Sequence, residues 1–304
     1  MKEFKMDFYN PTSLKSYDLD ESMRYQLTML DSLDVFTRLH SENVANLTCR
    51  ICEYMHMKSY FTIYCTICAY LHDIGKQFIP PAVLQKNGPL TDEEYTIMKN
   101  HTSIGYQMCM RDEKLRPYAA GPIYHHEALN GSGYPNKVAY PDLPLEGQII
   151  RVADEFDAIT SKRQYKSHVG VCDTLKILIG ETIPNKDAGQ KYGKINPKIV
   201  KALIKVILDD TEYELYNLSQ YVEYLQKEVN RLEQIADYEE KMHNARNDND
   251  RAYYLSGIRQ LFSVGETLEN YRQVAEEYRQ AWLLRKEQMD KLSDEFKEIK
   301  KLKV

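Results

Sequence analysis

Helix breakers are concentrated in one part of this chain. All 11 prolines lie at or before Pro197, and 11 of the 13 glycines lie at or before Gly193. The remainder therefore has almost nothing to interrupt a helix. There, apolar residues recur at alternating steps of three and four: Leu215, Leu218, Val222, Leu225, Val229, Leu232 and Ala236. That is the period of a coiled-coil seam. After a turn-like run from Asn247 to Asp250, a second seam carries Tyr254, Leu261, Leu268, Ala275, Trp282, Met289 and Phe296 in one row. Its companion row is Gly257, Val264, Tyr271, Tyr278, Arg285, Leu292 and Ile299, interrupted at Arg285. The pattern predicts one long second helix. The two seams can close as an antiparallel hairpin or pair with another chain. The greater length of the second favours a homodimer through the coil.

The residues before about position 210 form a different region. Pro and Gly clusters at 80–89, 117–122, 131–147 and 184–197 mark loops, and the segments between them read as helices. The charge-free run Ser59–Leu71 is too short to cross a bilayer, which takes about 20 apolar residues, and reads as a core helix. The N-terminus carries acids and Pro11 where a signal peptide needs an apolar run. A cytoplasmic protein with reduced cysteines is expected. Forty Lys and Arg stand against 45 Asp and Glu, a net charge of −5, which gives no electrostatic reason to bind a nucleic acid polymer or an anionic membrane.

Potential chemistry is concentrated in that first region. His40, Val44, Leu47, Ile51 and Met55 share one helical face, so His40 points inward. In Leu71-His72-Asp73-Ile74-Gly75-Lys76, neighbouring residues diverge by about 100°, so an imidazole can hold one ion while the adjacent carboxylate reaches between two. Lys76 follows His72 by four residues, placed for a phosphate oxygen. His125-His126-Glu127 can supply two ligands and a carboxylate that orients an imidazole. The run to Pro135 has Gly131 and Gly133 for a tight loop. Asp154 and Asp157 share a helix face, as do Arg163 and Lys166, which would set carboxylate ligands near phosphate-binding cations.

In order and spacing, HSENVA, LHDIGKQFIPPAVLQKNGPLTDEE, MKNHTSIG, HHEALNGSGYP, DEFDAITSKRQYK and KINPKIV, running from about His40 to Pro197, resemble the HD-GYP phosphodiesterases, a branch of the HD metal-dependent phosphohydrolases. The resemblance implies an all-α, HD-type helical bundle over residues 36–210. An N-terminal helical segment would precede it over 1–35, and a C-terminal coiled coil or helical hairpin would follow over 211–304. It implies a metal-bridging hydroxide that hydrolyses cyclic di-GMP to linear pGpG or GMP. Carried over residue by residue, the metal ligands are His40, His72, Asp73, His101, His125, His126 and Asp154, with Asp73 bridging. Lys76 and Asp73 are then catalytic, and Asp157, Arg163, Lys166, Gly133 and Tyr134 bind substrate, with Glu127 behind the ligands.

Two positions depart from the pattern. A Glu that supplies a third metal in some members is Phe36 here, so two divalent ions are expected, iron or manganese ahead of magnesium, zinc or nickel. The loop's usual Asp is Asn130. Three function classes follow: an active cyclic dinucleotide phosphodiesterase, a weakly active scaffold that binds a cyclic dinucleotide or a protein partner, and a phosphohydrolase acting on another nucleotide. With fewer than 40 residues before His40, no receiver domain is expected ahead of it. Cys49-x-x-Cys52 and Cys65-x-x-Cys68 mimic a zinc ribbon, but both pairs lie in apolar helical stretches without knuckle turns, and core thiols are expected. His56, His168 and His243 have no partner pattern. Tyr124 and Tyr134 are candidates for stacking on a purine.

Overall fold

The computed structural model describes residues 35–161 and 169–304. The chain divides into two compact units, Met1–Ile207 with Leu302–Val304, and Leu208–Lys301. The described residues contain helices and turns but no strand, as an all-α fold requires. None of the described helices is long and apolar enough to cross a membrane.

In the first unit, α1 (Val35–Tyr54) and α2 (Ser59–Leu71) pack side by side and α6 (Leu145–Thr160) lies across both. The expected core helix occupies the charge-free run, with Thr62, Cys65, Cys68 and Leu71 among its buried residues. A 3-10 turn, Ile74–Phe78, and a short α3 (Pro81–Leu84) follow. Thr91 then opens α4 (Asp92–Arg111) with a capping box: its hydroxyl accepts from Glu94 N–H, and the Glu94 carboxylate accepts from Thr91 N–H. A second short helix, α5 (Ala120–Tyr124), leads toward α6, and α7 (Val171–Glu181) follows. Two of the expected loops thus contain brief helices. Pro81 at the first helical position is compatible with one, because that N–H would go unused anyway. Ile67, Leu71, Ile74, Cys109, Leu115 and Ala119 form a buried cluster.

Glycine sets how closely the elements approach. A Cβ on Gly75 would collide with the His101 carbonyl, and one on Gly121 with the Cys68 carbonyl. The 3-10 turn therefore lies directly against α4, and α5 against α2. All five cysteines on α1, α2 and α4 are buried free thiols, as expected of core residues.

The helix α8 (Pro197–His243) contributes Ile199, Val200 and Leu203 to the first unit's buried set. The rest of α8, α9 (Asp248–Leu261) and α10 (Tyr271–Lys301) make up the second unit. The Asn247 side chain caps α9 by accepting from Asp250 N–H at 2.9 Å. The expected single second helix is broken between Leu261 and Tyr271. Gly265 takes φ +87° there. Arg231 of α8 donates to the Leu261 carbonyl and, at 2.7 Å through each terminal nitrogen, to the Glu266 carboxylate. Leu268, counted in the seam, is consequently exposed.

Within this unit α10 runs antiparallel to α8: Tyr224 meets Tyr278, Glu233 meets Arg279 and Glu239 meets Arg272. The seams thus close on each other in one chain. Leu225, Val229 and Leu232 are buried as the seam requires, but at its end Ile235 is buried and Ala236 exposed. A straight helix drifts from a heptad in this way. Leu232, Ile235, Ile258 and Tyr271 form the buried centre. Replacing Tyr271 with Ala should lower the stability of this unit by about 3–5 kcal/mol, measured by urea unfolding of the full chain. A loss below about 1 kcal/mol would mean the three helices are not held by this cluster.

Candidate metal centre

Seven polar side chains converge in the first unit from five elements. His40 comes from α1, His72 and Asp73 from the end of α2, His101 from α4, His125 and His126 from the end of α5, and Asp154 from α6. All are buried except His126, whose side chain is 24% exposed and marks the open side.

Each ring but His126 is fixed by its outer nitrogen. Nδ1 of His72 donates to the Ala69 carbonyl at 2.5 Å, that of His101 to Met98 at 2.6 Å and that of His125 to Gly121 at 3.0 Å. A carbonyl can only accept, so the ring proton sits on Nδ1 and the Nε2 lone pair faces inward. Nδ1 of His40 is bonded to Asp157 Oδ2 at 2.6 Å, and Asp157 also accepts from Asn43.

The inward atoms form two groups around Asp73. Its Oδ2 faces His72 Nε2 at 3.2 Å and His40 Nε2 at 3.7 Å, and accepts from Lys76. Its Oδ1 faces His101 Nε2 at 3.4 Å and His125 Nε2 at 3.9 Å. Asp154 lies 3.0 Å from His40 Nε2 and 3.8 Å from His126 Nδ1. Ligand atoms of His40, His72 and Asp73, of His72, His125 and Asp154, and of His101, His125 and His126 each lie within 4.8 Å of one another.

The donor set fits divalent cations. His101 and His125 bring their Nε2 atoms to 3.2 Å with both outer protons already committed. Two lone pairs at that distance repel unless a cation or proton lies between them. Nε2 of His40, Nε2 of His72 and Oδ1 of Asp73 are buried without hydrogen-bond partners, a costly arrangement for groups that nothing else satisfies.

Burial lowers the pKa of His101 and of His125, and pulls His126 down to about 3. All three are therefore neutral, the ligating form, at pH 7. Burial acts the same way on His40, but Asp154 and Asp157 outweigh it and raise its pKa to about 9. Burial would push Asp73 up; His72 and Lys76 overcome it and hold the carboxyl well below the usual range. Asp154 is likewise held low against burial by His40 and His126.

The loop after the paired histidines is clamped from below. Glu127 is fully buried and accepts from the N–H groups of Asn136 at 2.6 Å and Val138 at 2.9 Å. The sequence reading had its carboxylate orienting an imidazole; instead it ties down the loop backbone. Gly133 lies so close to His126 O and Ala128 N that a Cβ would overlap them. Tyr134 stacks on the His126 ring, with centroids 4.6 Å apart and planes at 26°. Asn130 accepts from the Ser132 N–H and hydroxyl and donates to Gln190, so the amide serves the loop without the missing charge.

Asp157, expected to bind substrate, is found against His40. It is buried behind His40, on the far side of the ring from Asp73. The Asp154–Asp157 spacing was legible, but the histidine held between the two carboxylates comes from a helix more than a hundred residues earlier. Arg163, Lys166, His168 and the side chain of Phe36 lie outside the described residues. Arg151 was missed. It donates to the His126 and Glu127 carbonyls and at 2.5 Å to Glu155, and only its i,i+4 spacing from Glu155 hints at this.

With this geometry in view, the HD domain family matches residues 25–184, more than half of the chain, and the protein belongs to that family. A cyclic di-GMP phosphodiesterase of Thermotoga maritima is 37% identical over 181 residues, 59% of this chain and 47% of that protein. The 3'3'-cGAMP-specific phosphodiesterase 2 of Vibrio cholerae is 36% identical over 135 residues, 44% and 24% of the two chains. A cyclic di-GMP phosphodiesterase of Pseudomonas aeruginosa is 26% identical over 182 residues, 60% and 42%. These names match the HD-GYP resemblance of the motifs. The chain spans less than half the length of each of these relatives.

If Asp157 orients His40, Asp157→Asn should weaken metal affinity by about 10- to 100-fold, read by competition with a chelating dye, with KM for substrate little changed. A raised KM at unchanged metal affinity would place Asp157 on the substrate instead.

Proposed function

We propose that this protein is a metal-dependent phosphodiesterase that hydrolyses cyclic di-GMP to the linear dinucleotide or GMP. The observation that carries this reading is the pair of oxygens of Asp73, each facing its own set of imidazole nitrogens. One ion would be held by His40, His72, Asp73 and Asp154, the other by Asp73, His101, His125 and His126. Such ions supply Lewis acidity toward a phosphodiester and a source of hydroxide at neutral pH. Iron or manganese is proposed ahead of magnesium, zinc or nickel, in line with the family resemblance; imidazole and carboxylate donors with no thiolate among them accommodate either.

The chain's own groups complete the chemistry. Two carboxylates against two divalent ions leave a net charge of about +2, which attracts an anionic diester. Lys76 holds Oδ2 of Asp73 and, with its side chain 16% exposed, has protons left for an equatorial phosphate oxygen. The partly exposed His126 and the Tyr134 ring on it define the face from which substrate arrives. Arg163 and Lys166 are proposed to hold phosphate oxygens, and Gly133 with Tyr134 to line the substrate. The names of the relatives support the substrate class. The one acting on 3'3'-cGAMP makes that nucleotide the natural comparison.

The catalytic domain is proposed to occupy residues 36–210, and the cytoplasm is the proposed compartment, in keeping with buried free thiols. A homodimer through the C-terminal helices is also proposed, supported by the exposed Leu283 and Leu284 of α10. Light scattering should give twice the chain mass of 35.6 kDa; a monomer mass would exclude it.

Anaerobically purified full-length protein should contain two ions per chain by mass spectrometry and hydrolyse cyclic di-GMP, with 3'3'-cGAMP assayed alongside. Asp73→Ala should lose both ions and turnover. Activity retained without metal would refute the mechanism, and tight cyclic di-GMP binding without turnover would make the protein a sensor or scaffold.

A further inference from the structure

Beside the metal centre stands a cation that no acid among the described residues neutralises. Lys76 is paired with Asp73 and Arg151 with Glu155. Lys99, on α4 two residues before His101, forms no ion pair among the described residues. Its ammonium lies over the Tyr95 ring, 4.7 Å from the centroid, and 5.9 Å from the centroid of Tyr134. Tyr95 and Tyr134 meet edge to face at 6.3 Å, and Tyr134 in turn stacks on His126.

Aromatic faces hold an ammonium in place without cancelling its charge. The cation is therefore presented to whatever occupies the centre's open side, one ring beyond His126. A diester with a single phosphate, placed at the metals, has no second anion to offer that cation. A cyclic dinucleotide carries a second phosphate across its ring, and that group needs a positive partner.

Resting on the phosphodiesterase reading above, we infer that Lys99, braced by Tyr95 and Tyr134, binds the second, non-scissile phosphate of a cyclic dinucleotide and so selects this substrate class over simple diesters. Tyr95, 45% exposed on the same face, sets the position of the ammonium and leaves part of its ring open beside the substrate.

The test compares kcat/KM for cyclic di-GMP with that for bis(p-nitrophenyl) phosphate, a diester with one phosphate, using the metal-loaded full chain. Lys99→Gln should lower the ratio of the two about tenfold through KM, the size of one lost charge-assisted hydrogen bond. Lys99→Arg should restore most of it. Calorimetric binding of cyclic di-GMP should weaken by the same factor. Equal losses on both substrates would overturn the inference, because Lys99 would then act only by bracing Tyr134 and His126. An unchanged ratio would overturn it as well. Wild-type protein that neither binds nor hydrolyses cyclic di-GMP would instead remove the functional reading on which it rests.

Discussion

The first unit depends on how its histidines spend their protons. A buried imidazole with a free outer nitrogen can rotate, exchange tautomers or take a second proton. At His72, His101 and His125 the outer nitrogen is tied to a carbonyl three or four residues back along the same stretch of chain. Each ring is therefore fixed by its own helix before any tertiary contact is counted. What remains is a set of inward lone pairs with buried carboxylates among them. In the absence of a cation that is a costly arrangement.

The rest of the unit keeps those lone pairs converging. Gly75 lets the 3-10 turn that follows Asp73 lie against the backbone of His101, and Gly121 lets α5, which ends in His125, lie against α2. Arg151 binds the carbonyls of His126 and Glu127 from α6, three residues before Asp154. Glu127 then fixes the loop that carries Tyr134. All of these clamps but the one made by Glu127 join elements well separated in sequence. The centre is held by close backbone approach and hydrogen bonding as much as by apolar packing.

Much of this was legible before the fold was known. Ser59–Leu71 could be bounded because its apolar run is closed by a charged motif, and the seven candidate ligands could be carried over from the family resemblance of their motifs. Partnership across the fold was not legible. Asp157 and Glu127 both carry carboxylates beside ligand-type residues, and local spacing could not tell that one would lie behind His40 and the other beneath a loop. In the C-terminal region the heptad rows ran through 262–270 without interruption. Periodicity does not register that Arg231, from another helix, holds a non-helical link at Glu266 and the Leu261 carbonyl. Lys99 escaped notice because its partners are rings, which leave no charge pattern in sequence.

The central claim is that the two oxygens of Asp73 serve two cations at once. The most direct test is an anomalous difference map at the manganese edge from crystals of the manganese-loaded full chain. The account predicts two peaks with the Asp73 carboxylate between them, one beside His40 and His72 and the other beside His101 and His125. A single peak, or a pair that does not share Asp73, would contradict it.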